Sequence, residues 1–498
     1  MAVVLKRAVT TPLLFFFILG DILGAGVYVL VGSVARESGG AVWLPLLTAL
    51  VLATLTAGSY AELATKYPRA GGSAHYVTTA FGPAAGSFVG FCMLAAGVVS
   101  VGALARAFAG DYLQALITVP TLAVVVVFLM LLAALNIRGI KESLGANVVA
   151  TLVELGGLLL IIGLGAWVIL RGDGDLDRLT EVGTADHGAV GAVLAGTVLA
   201  FYSFVGFETS VNLAEEVEDP RRSYPRALFG ALLTAGVVYV LIGVVASAVV
   251  PTDQLARSGG PLLEVVRVAG DFPDWLFSVI ALVAVANGAL LTGIMSSRLA
   301  YGMANDGLLP PVLGRILRGR RTPWVAILAT SGVSLILAST GEVDSLAATL
   351  VLLLLFVFAA VNAAVLALRT QPGEPGHFRI PTVIPWLGLG SCLFLFTRID
   401  GEVWVRGLVL VGSGVVLAMV NAVRARRGGA VKRPETGTAK QGRRRTPMSG
   451  TKDHHNDEST EPKGGRPGPT DQGKEGGMAT RELAADIAET EGAQEPPD

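Results

Sequence analysis

Long apolar stretches alternate with short polar ones through residues 10–425, and few of the stretches carry a polar stripe on one side. Runs such as Val237–Val250 and Leu346–Leu368 are apolar nearly all round, the pattern of helices immersed in lipid rather than laid on a soluble core. About 20 apolar residues cross the hydrocarbon of a bilayer. On that measure the chain has room for twelve spans, at about 13–33, 41–63, 84–106, 120–136, 146–169, 189–213, 225–250, 275–302, 323–340, 345–368, 383–398 and 403–423. The fold class expected is therefore an all-α polytopic membrane protein. A soluble protein with this many all-apolar helices would have no polar surface to offer water. The first run lacks a small-residue cleavage site and reads as a retained helix, not a signal peptide.

Composition agrees: 52% of the 498 residues are hydrophobic and 15% charged, against roughly 25% charged in soluble chains. The net charge of −1 says little about partners, but its distribution orients the chain. Lys6 and Arg7 precede the first span, Lys66 and Arg69 follow the second, and Arg138 and Lys141 the fourth. Arg221, Arg222 and Arg226 follow the sixth, and Arg315, Arg318, Arg320 and Arg321 the eighth. The loop after the fifth span is acidic, with Asp173, Asp175, Asp177 and Asp186. By the positive-inside rule both termini are expected in the cytoplasm. From about Gly428 the chain turns rich in Gly, Pro and charge, too poor in apolar residues to fold alone, and reads as a disordered cytoplasmic tail (428–498) behind a membrane core (1–427). The basic start of the tail either lies on anionic lipid heads or only enforces topology. Thr480–Glu491 has the composition of a brief helix.

Two spans five apart in order are interrupted near their middles, the first by Gly20, Asp21, Ile22, Leu23, Gly24, Ala25 and Gly26, the sixth by Tyr202, Ser203, Phe204, Val205, Gly206, Phe207 and Glu208. Corresponding broken helices in two halves point to inverted repeats with a ligand site at the midplane. The repeats would be about 13–169 and 189–368, with extra helices at about 383–423. A break inside lipid frees peptide groups that must be satisfied by protein or by a cavity. A zwitterion can satisfy them, its carboxylate on the amides that open one half-helix and its ammonium on the carbonyls that end the other. Glycine lets the ligand approach the backbone, although small residues spaced four apart also serve plain helix packing.

These residues, with Ser59–Leu63 and Tyr67–Ser73 after the second span, Glu215, Glu216, Asp219, Pro220 and Pro225 after the sixth, and Ser297, Arg298, Tyr301, Met303, Asp306, Gly307, Leu308 and Pro310 at the end of the eighth, resemble the amino acid-polyamine-organocation superfamily of permeases. The resemblance covers about residues 10–425. It implies a LeuT-type fold of five plus five helices with two added, and a substrate that is an amino acid or related amine. Gly24, Ala25 and Gly26 would hold its carboxylate. Tyr202, Ser203, Phe204, Val205 and Gly206 would surround the amino group, with Tyr202 or Phe204 as an aromatic gate or, alternatively, as plain packing. The Tyr67–Ser73 and Asp219–Pro225 loops would belong to the cytoplasmic gate.

Three carboxylates, Asp21, Glu154 and Glu208, fall inside spans, where each costs about 2.5–3.5 kcal/mol, and all three are candidates for proton coupling or gating, Glu208 as an inner-side proton or gate group. Asp21 and Glu154 lie at similar depth and are expected to be neighbours. Where related proton-coupled permeases often place a lysine in the fifth span, this chain has Glu154. A proton on Glu154, a cation beside it, no coupled ion, and a merely structural protonated Glu all remain open. Asn287 and Thr292 are further polar candidates in the eighth span. Cys92 and Cys392 lie in predicted spans and suggest no disulfide or metal framework. His75, His187, His377, His454 and His455 lie in loops or tail, so no imidazole relay crosses the membrane. No nucleophile–base pair, ATP-binding loop or cofactor motif is present, and no nucleic-acid role is indicated. The function expected is proton-coupled secondary uptake at the plasma membrane, in contact with protons and membrane lipids. Substrate exchange, or a transporter-like sensor or scaffold, is the alternative.

Overall fold

A computed structural model describes residues 9–24, 26–68, 72–139, 144–183, 188–270, 272–317, 319–320, 322–371 and 376–427. In lipid each backbone N–H and C=O must be paired within its own segment, so apolar runs of this length become helices. Seventeen are described: α1 Thr11–Leu23, α2 Gly26–Ser38, α3 Trp43–Lys66, α4 Gly72–Phe81, α5 Pro83–Phe108, α6 Asp111–Gln114, α7 Thr121–Arg138, α8 Leu144–Leu170, α9 Ala189–Tyr202, α10 Pro220–Val249, α11 Thr252–Arg257, α12 Pro261–Ala269, α13 Asp274–Asn305, α14 Trp324–Thr340, α15 Val343–Leu368, α16 Val383–Phe396 and α17 Gly401–Arg427. Among the described residues the one extended pairing is a parallel bridge of Val9 with Val217.

Eight stretches are long and apolar enough to cross a membrane. Two further pairs pass the same test only together, as a broken span or a re-entrant loop, α1 with α2 bent by 42° and α16 with α17 by 110°, and α14 is a shorter apolar helix. The chain is an all-α polytopic membrane protein. Each predicted apolar segment coincides with one of these helices or broken pairs, while length and composition alone qualify eight to ten as spans. The short helices α4, α6, α11 and α12 fall in stretches that hydropathy leaves as loops. They are too short or too mixed in polarity to register as spans, and α12 is buried from Pro261 through Val266, Glu264 included.

The chain divides after Val423 into two units. In the second, residues 424–427 end α17, and the tail predicted from Gly428, with its short helix at Thr480–Glu491, lies outside the described residues. Within the first unit α10 packs on α3 and α1, α5 on α15 and α13, and α8 on α1 and α10. Backbones approach closely where a side chain is missing. A Cβ on Gly243 of α10 would sit 3.0 Å from Cα of Trp43, whereas Gly20 of α1 makes room for a side chain, a Cβ there lying 2.1 Å from Oγ1 of Thr151 on α8.

Candidate functional site

The first break follows from glycine. α1 stops at Leu23, Gly24 leaves helical geometry with φ −30° and ψ −166°, and α2 restarts at Gly26. Ala25 lies outside the described residues. Such a break leaves the last carbonyls of α1 and the first amides of α2 without helical partners. One carbonyl is taken up: the Tyr239 hydroxyl of α10 donates to Ile22 O at 2.7 Å. Tyr112 likewise donates to Tyr28 O at 2.6 Å, and Tyr28 to Glu154 O at 2.9 Å.

The second interruption tightens before it breaks. After α9, the amides of Ser203, Phe204 and Val205 each bond three residues back at 3.1 Å, the 3-10 pattern. Gly206 then turns to φ +129°, and a 3-10 helix runs from Phe207 to Leu213. The freed Gly206 amide donates to Glu208 Oε2 at 2.9 Å, so this buried carboxylate closes the break from two residues away.

The two breaks meet backbone to backbone. A Cβ on Gly26 would lie 2.8 Å from Cα of Ser203, and a Cβ on Gly206 only 2.5 Å from Asp21 O. Thr209 Oγ1 donates to Asp21 Oδ2, a bond that ties the two segments through side chains as well. Phe204 is fully buried, edge-on to Tyr239 with ring centroids 5.2 Å apart. Tyr202 is buried with its hydroxyl 3.5 Å from Ser100 Oγ, while Ser203 is buried and Val205 half-buried. Of the predicted candidates, Gly24, Gly26, Ser203, Gly206, Asp21 and Glu208 thus converge on one junction, with Phe204 packed behind it.

Glu154 stands on α8 beside this junction, 1% exposed. Asn287 of α13 donates to its Oε1 at 3.0 Å, and its Oε2 has no hydrogen-bond partner among the described residues. Asp21 lies within electrostatic reach, the proximity expected from their matched depths. Thr292 is not part of this group: its side chain faces Gly97 of α5. Tyr28, Tyr112, Tyr239 and Thr209 were not among the predicted candidates. Their legible signal was a hydroxyl in an apolar segment, which needs a partner once buried.

At the end of the bundle where α1 begins, Tyr60 and Ser73 hydroxyls pair at 2.7 Å, as do Ser210 and Tyr224, and Thr11 donates to Ser223 at 2.8 Å. Val9 bonds backbone to backbone with Glu216 and Glu218. Burial pushes the Glu216 carboxyl up from its ordinary value, and the charge of Glu215 adds to this. Arg369, just past the end of α15, grips Glu62 of α3 through two bonds, 3.0 and 2.7 Å, almost out of contact with solvent. At the opposite end Arg36 pairs with Asp344 and, at 2.6 Å, Arg106 with Glu342. Among the described residues no cluster of three or more His, Cys, Asp or Glu is placed to hold a metal ion.

The sequence matches the amino acid permease family over residues 10–419. It is 31% identical over 414 residues to an uncharacterized transporter of Mycobacterium tuberculosis, covering 82% of this chain and 90% of the relative. It is 28% identical to a branched-chain amino acid permease of Bacillus subtilis, over 80% of this chain and 89% of that one. The vacuolar cationic amino acid transporter 4 of Arabidopsis thaliana is 31% identical over 71% of this chain, which spans 62% of that protein.

Proposed function

From the premise that the chain belongs to the amino acid permease family, we propose that it is a secondary active amino acid permease of the plasma membrane, with both termini cytoplasmic, working by alternating access with proton-coupled uptake. The observation that carries this reading is the junction of α1, α2, α9 and the Phe207–Leu213 segment, where two broken helices meet through Gly26 against Ser203 and Gly206 against Asp21. Peptide groups freed at such a junction hold a zwitterion as a fixed array of dipoles. Gly24, Ala25 and Gly26 present amides to the substrate carboxylate. Ser203, Phe204, Val205 and Gly206 present carbonyls and apolar surface to its amino end, with Tyr202 closing over it. The paired breaks divide the core into repeats of about 13–169 and 189–368, in the LeuT manner, with α16 and α17 added.

Glu154 carries the coupled proton in this reading, because one carboxylate oxygen is held by Asn287 and the other is left for a proton. Asp21 and Glu208 position the breaks, Asp21 through Thr209 and Glu208 through the Gly206 amide. The named relatives include a branched-chain amino acid permease and a cationic amino acid transporter, so branched-chain and cationic amino acids head the substrate panel.

The test is uptake of radiolabelled amino acids into proteoliposomes under an imposed pH gradient, inside alkaline. Uptake of at least one amino acid that collapses with a protonophore supports the proposal; uptake of none by correctly folded protein refutes it. Exchange is the second reading, favoured because each of the three intramembrane acids already has a protein partner. It requires internal substrate and ignores the pH gradient. Removal of residues 428–498 is expected to leave uptake intact, whereas a sensor or scaffold would lose its signal.

A further inference from the structure

α8 carries a polar stripe on an otherwise apolar helix. Asn147, Thr151 and Glu154 stand at i, i+4 and i+7 and share one face. That face looks onto α1: Thr151 Oγ1 is 3.4 Å from Phe16 O, and a Cβ on Gly20 would lie 2.1 Å from Thr151 Oγ1 and 3.4 Å from Asn147 Oδ1. Two buried side-chain atoms of the stripe, Asn147 Nδ2 and Glu154 Oε2, have no hydrogen-bond partner among the described residues. Thr151 spends its own proton on Asn147 O at 2.8 Å, leaving its oxygen free to accept. Buried polar atoms without partners are costly, and in natural proteins such sites are served by water making two to four bonds.

The spacing suits that. Along the helix axis Asn147 and Thr151 are about 6 Å apart and Thr151 and Glu154 about 4.5 Å, gaps that one or two hydrogen-bonded waters bridge. Asn147 lies within the first turn of α8, which begins at Leu144, so the stripe runs from the helix end to the buried carboxyl. From the elements packed around it, Glu154 is faced by Asp21 of α1, Tyr28 of α2, Tyr239 of α10 and Asn287 of α13. α12, with Glu264 and Arg267, packs at the far end of α8, where Arg171 bonds Val268 O.

We propose that Asn147 and Thr151 line a water relay that carries the proton between Glu154 and the compartment on the N-terminal side, and that α1, seated on the relay at Gly20, opens and closes it. This rests on the reading of Glu154 as proton carrier. In the release step the carboxyl O–H of Glu154 breaks and its proton passes to the first water, leaving carboxylate. An excess proton then moves along waters oriented by Thr151 and Asn147 and leaves as hydronium, with no change in oxidation state. In this proposal the contact of Gly20 with Thr151 constricts the relay while α1 is seated, which links proton exit to movement of that helix.

The experiment uses full-length protein in proteoliposomes with three readouts: counterflow of labelled substrate, uptake driven by a pH gradient, and lumenal acidification followed with a trapped pH dye. Asn147→Leu replaces the amide with an apolar group of similar size. It is expected to keep wild-type counterflow, which also reports that it folds, and to lose both pH-driven uptake and acidification. Asn147→Ser, which can still orient water, is expected to restore both, and Thr151→Val to lose them, so a folding failure of one variant leaves the others decisive. Asn147→Leu and Thr151→Val with wild-type pH-driven uptake overturn the relay while leaving Glu154 as carrier. A wild-type protein that exchanges substrate but never acidifies the lumen overturns the carrier reading, and the relay with it.

Discussion

Gly206 combines a positive φ with a close backbone contact to the other break, so Gly206→Ala makes a sharp prediction. Its φ of +129° belongs to a region that side-chain-bearing residues rarely adopt. A backbone forced into such a region costs about 1–3 kcal/mol. The added Cβ would also lie 2.5 Å from Asp21 O, 2.7 Å from Asp21 C and 3.1 Å from Ile22 N. These are backbone atoms of the other break, and they cannot swing aside as a side-chain tip can. Overpacking of this kind adds about 1–3 kcal/mol, bringing the total to roughly 2–6 kcal/mol against a typical stability of about 5–15 kcal/mol. The control is Gly24→Ala, where the new methyl meets only Asp21 O at 3.7 Å, an ordinary contact. Thermal melting of purified protein, followed by size-exclusion chromatography in detergent, is expected to drop sharply for Gly206→Ala and to stay near wild type for Gly24→Ala. Substrate affinity is expected to fall in both, since the Gly24 methyl occupies space through which a carboxylate would approach the amides. A Gly206→Ala protein that melts and transports like wild type would refute the claim that the breaks meet backbone to backbone.

Removing the acceptor of the Gly206 amide by Glu208→Ala strands a buried N–H and is expected to cost about 1–3 kcal/mol in the same melting assay, while Glu208→Gln retains an acceptor and most of the stability. Tyr239→Phe deletes the donor to Ile22 O and is expected to cost about 0.5–1.5 kcal/mol, with a weaker substrate affinity measured by direct binding. Glu62→Ala leaves the buried Arg369 without its carboxylate and the Ile380 amide without its acceptor, and is expected to cost about 3–5 kcal/mol by the same melting curves. The Glu216 carboxyl sits above its ordinary value, so its ionised form is the disfavoured one in the folded protein and stability is lost as pH rises through that raised value. Glu216→Gln is therefore expected to melt higher than wild type near neutral pH and to lose that advantage in acid.

The helices and both breaks were legible because each is written in local sequence: apolar length for the spans, glycine at 24, 26 and 206 for the interruptions. Matched depth along two helices was enough to bring Asp21 and Glu154 together. Pairings across long separations were not legible. Glu62 and Arg369 are 307 residues apart and Asn287 and Glu154 are 133 apart, and no local pattern says which polar group in one span faces which in another. The short helices of the loops escaped because hydropathy detects length, and α4 and α12 are stabilised by tertiary burial of a few residues, Tyr76 and Val77 in one case and Leu262 and Leu263 in the other. The sixth span was expected to be interrupted, but its tightening into 3-10 turns before Gly206 carries no signal in residue type and was not legible.

The central claim, that peptide groups at the two breaks grip the charged ends of an amino acid, is tested most directly by equilibrium binding to the purified full-length chain. A labelled amino acid that binds is competed with its own carboxamide and its own N-acetyl derivative, each of which keeps the side chain and removes one charge. The account predicts that unlabelled parent displaces the label and that neither derivative does so at comparable concentration. Equal displacement by parent and both derivatives would contradict it.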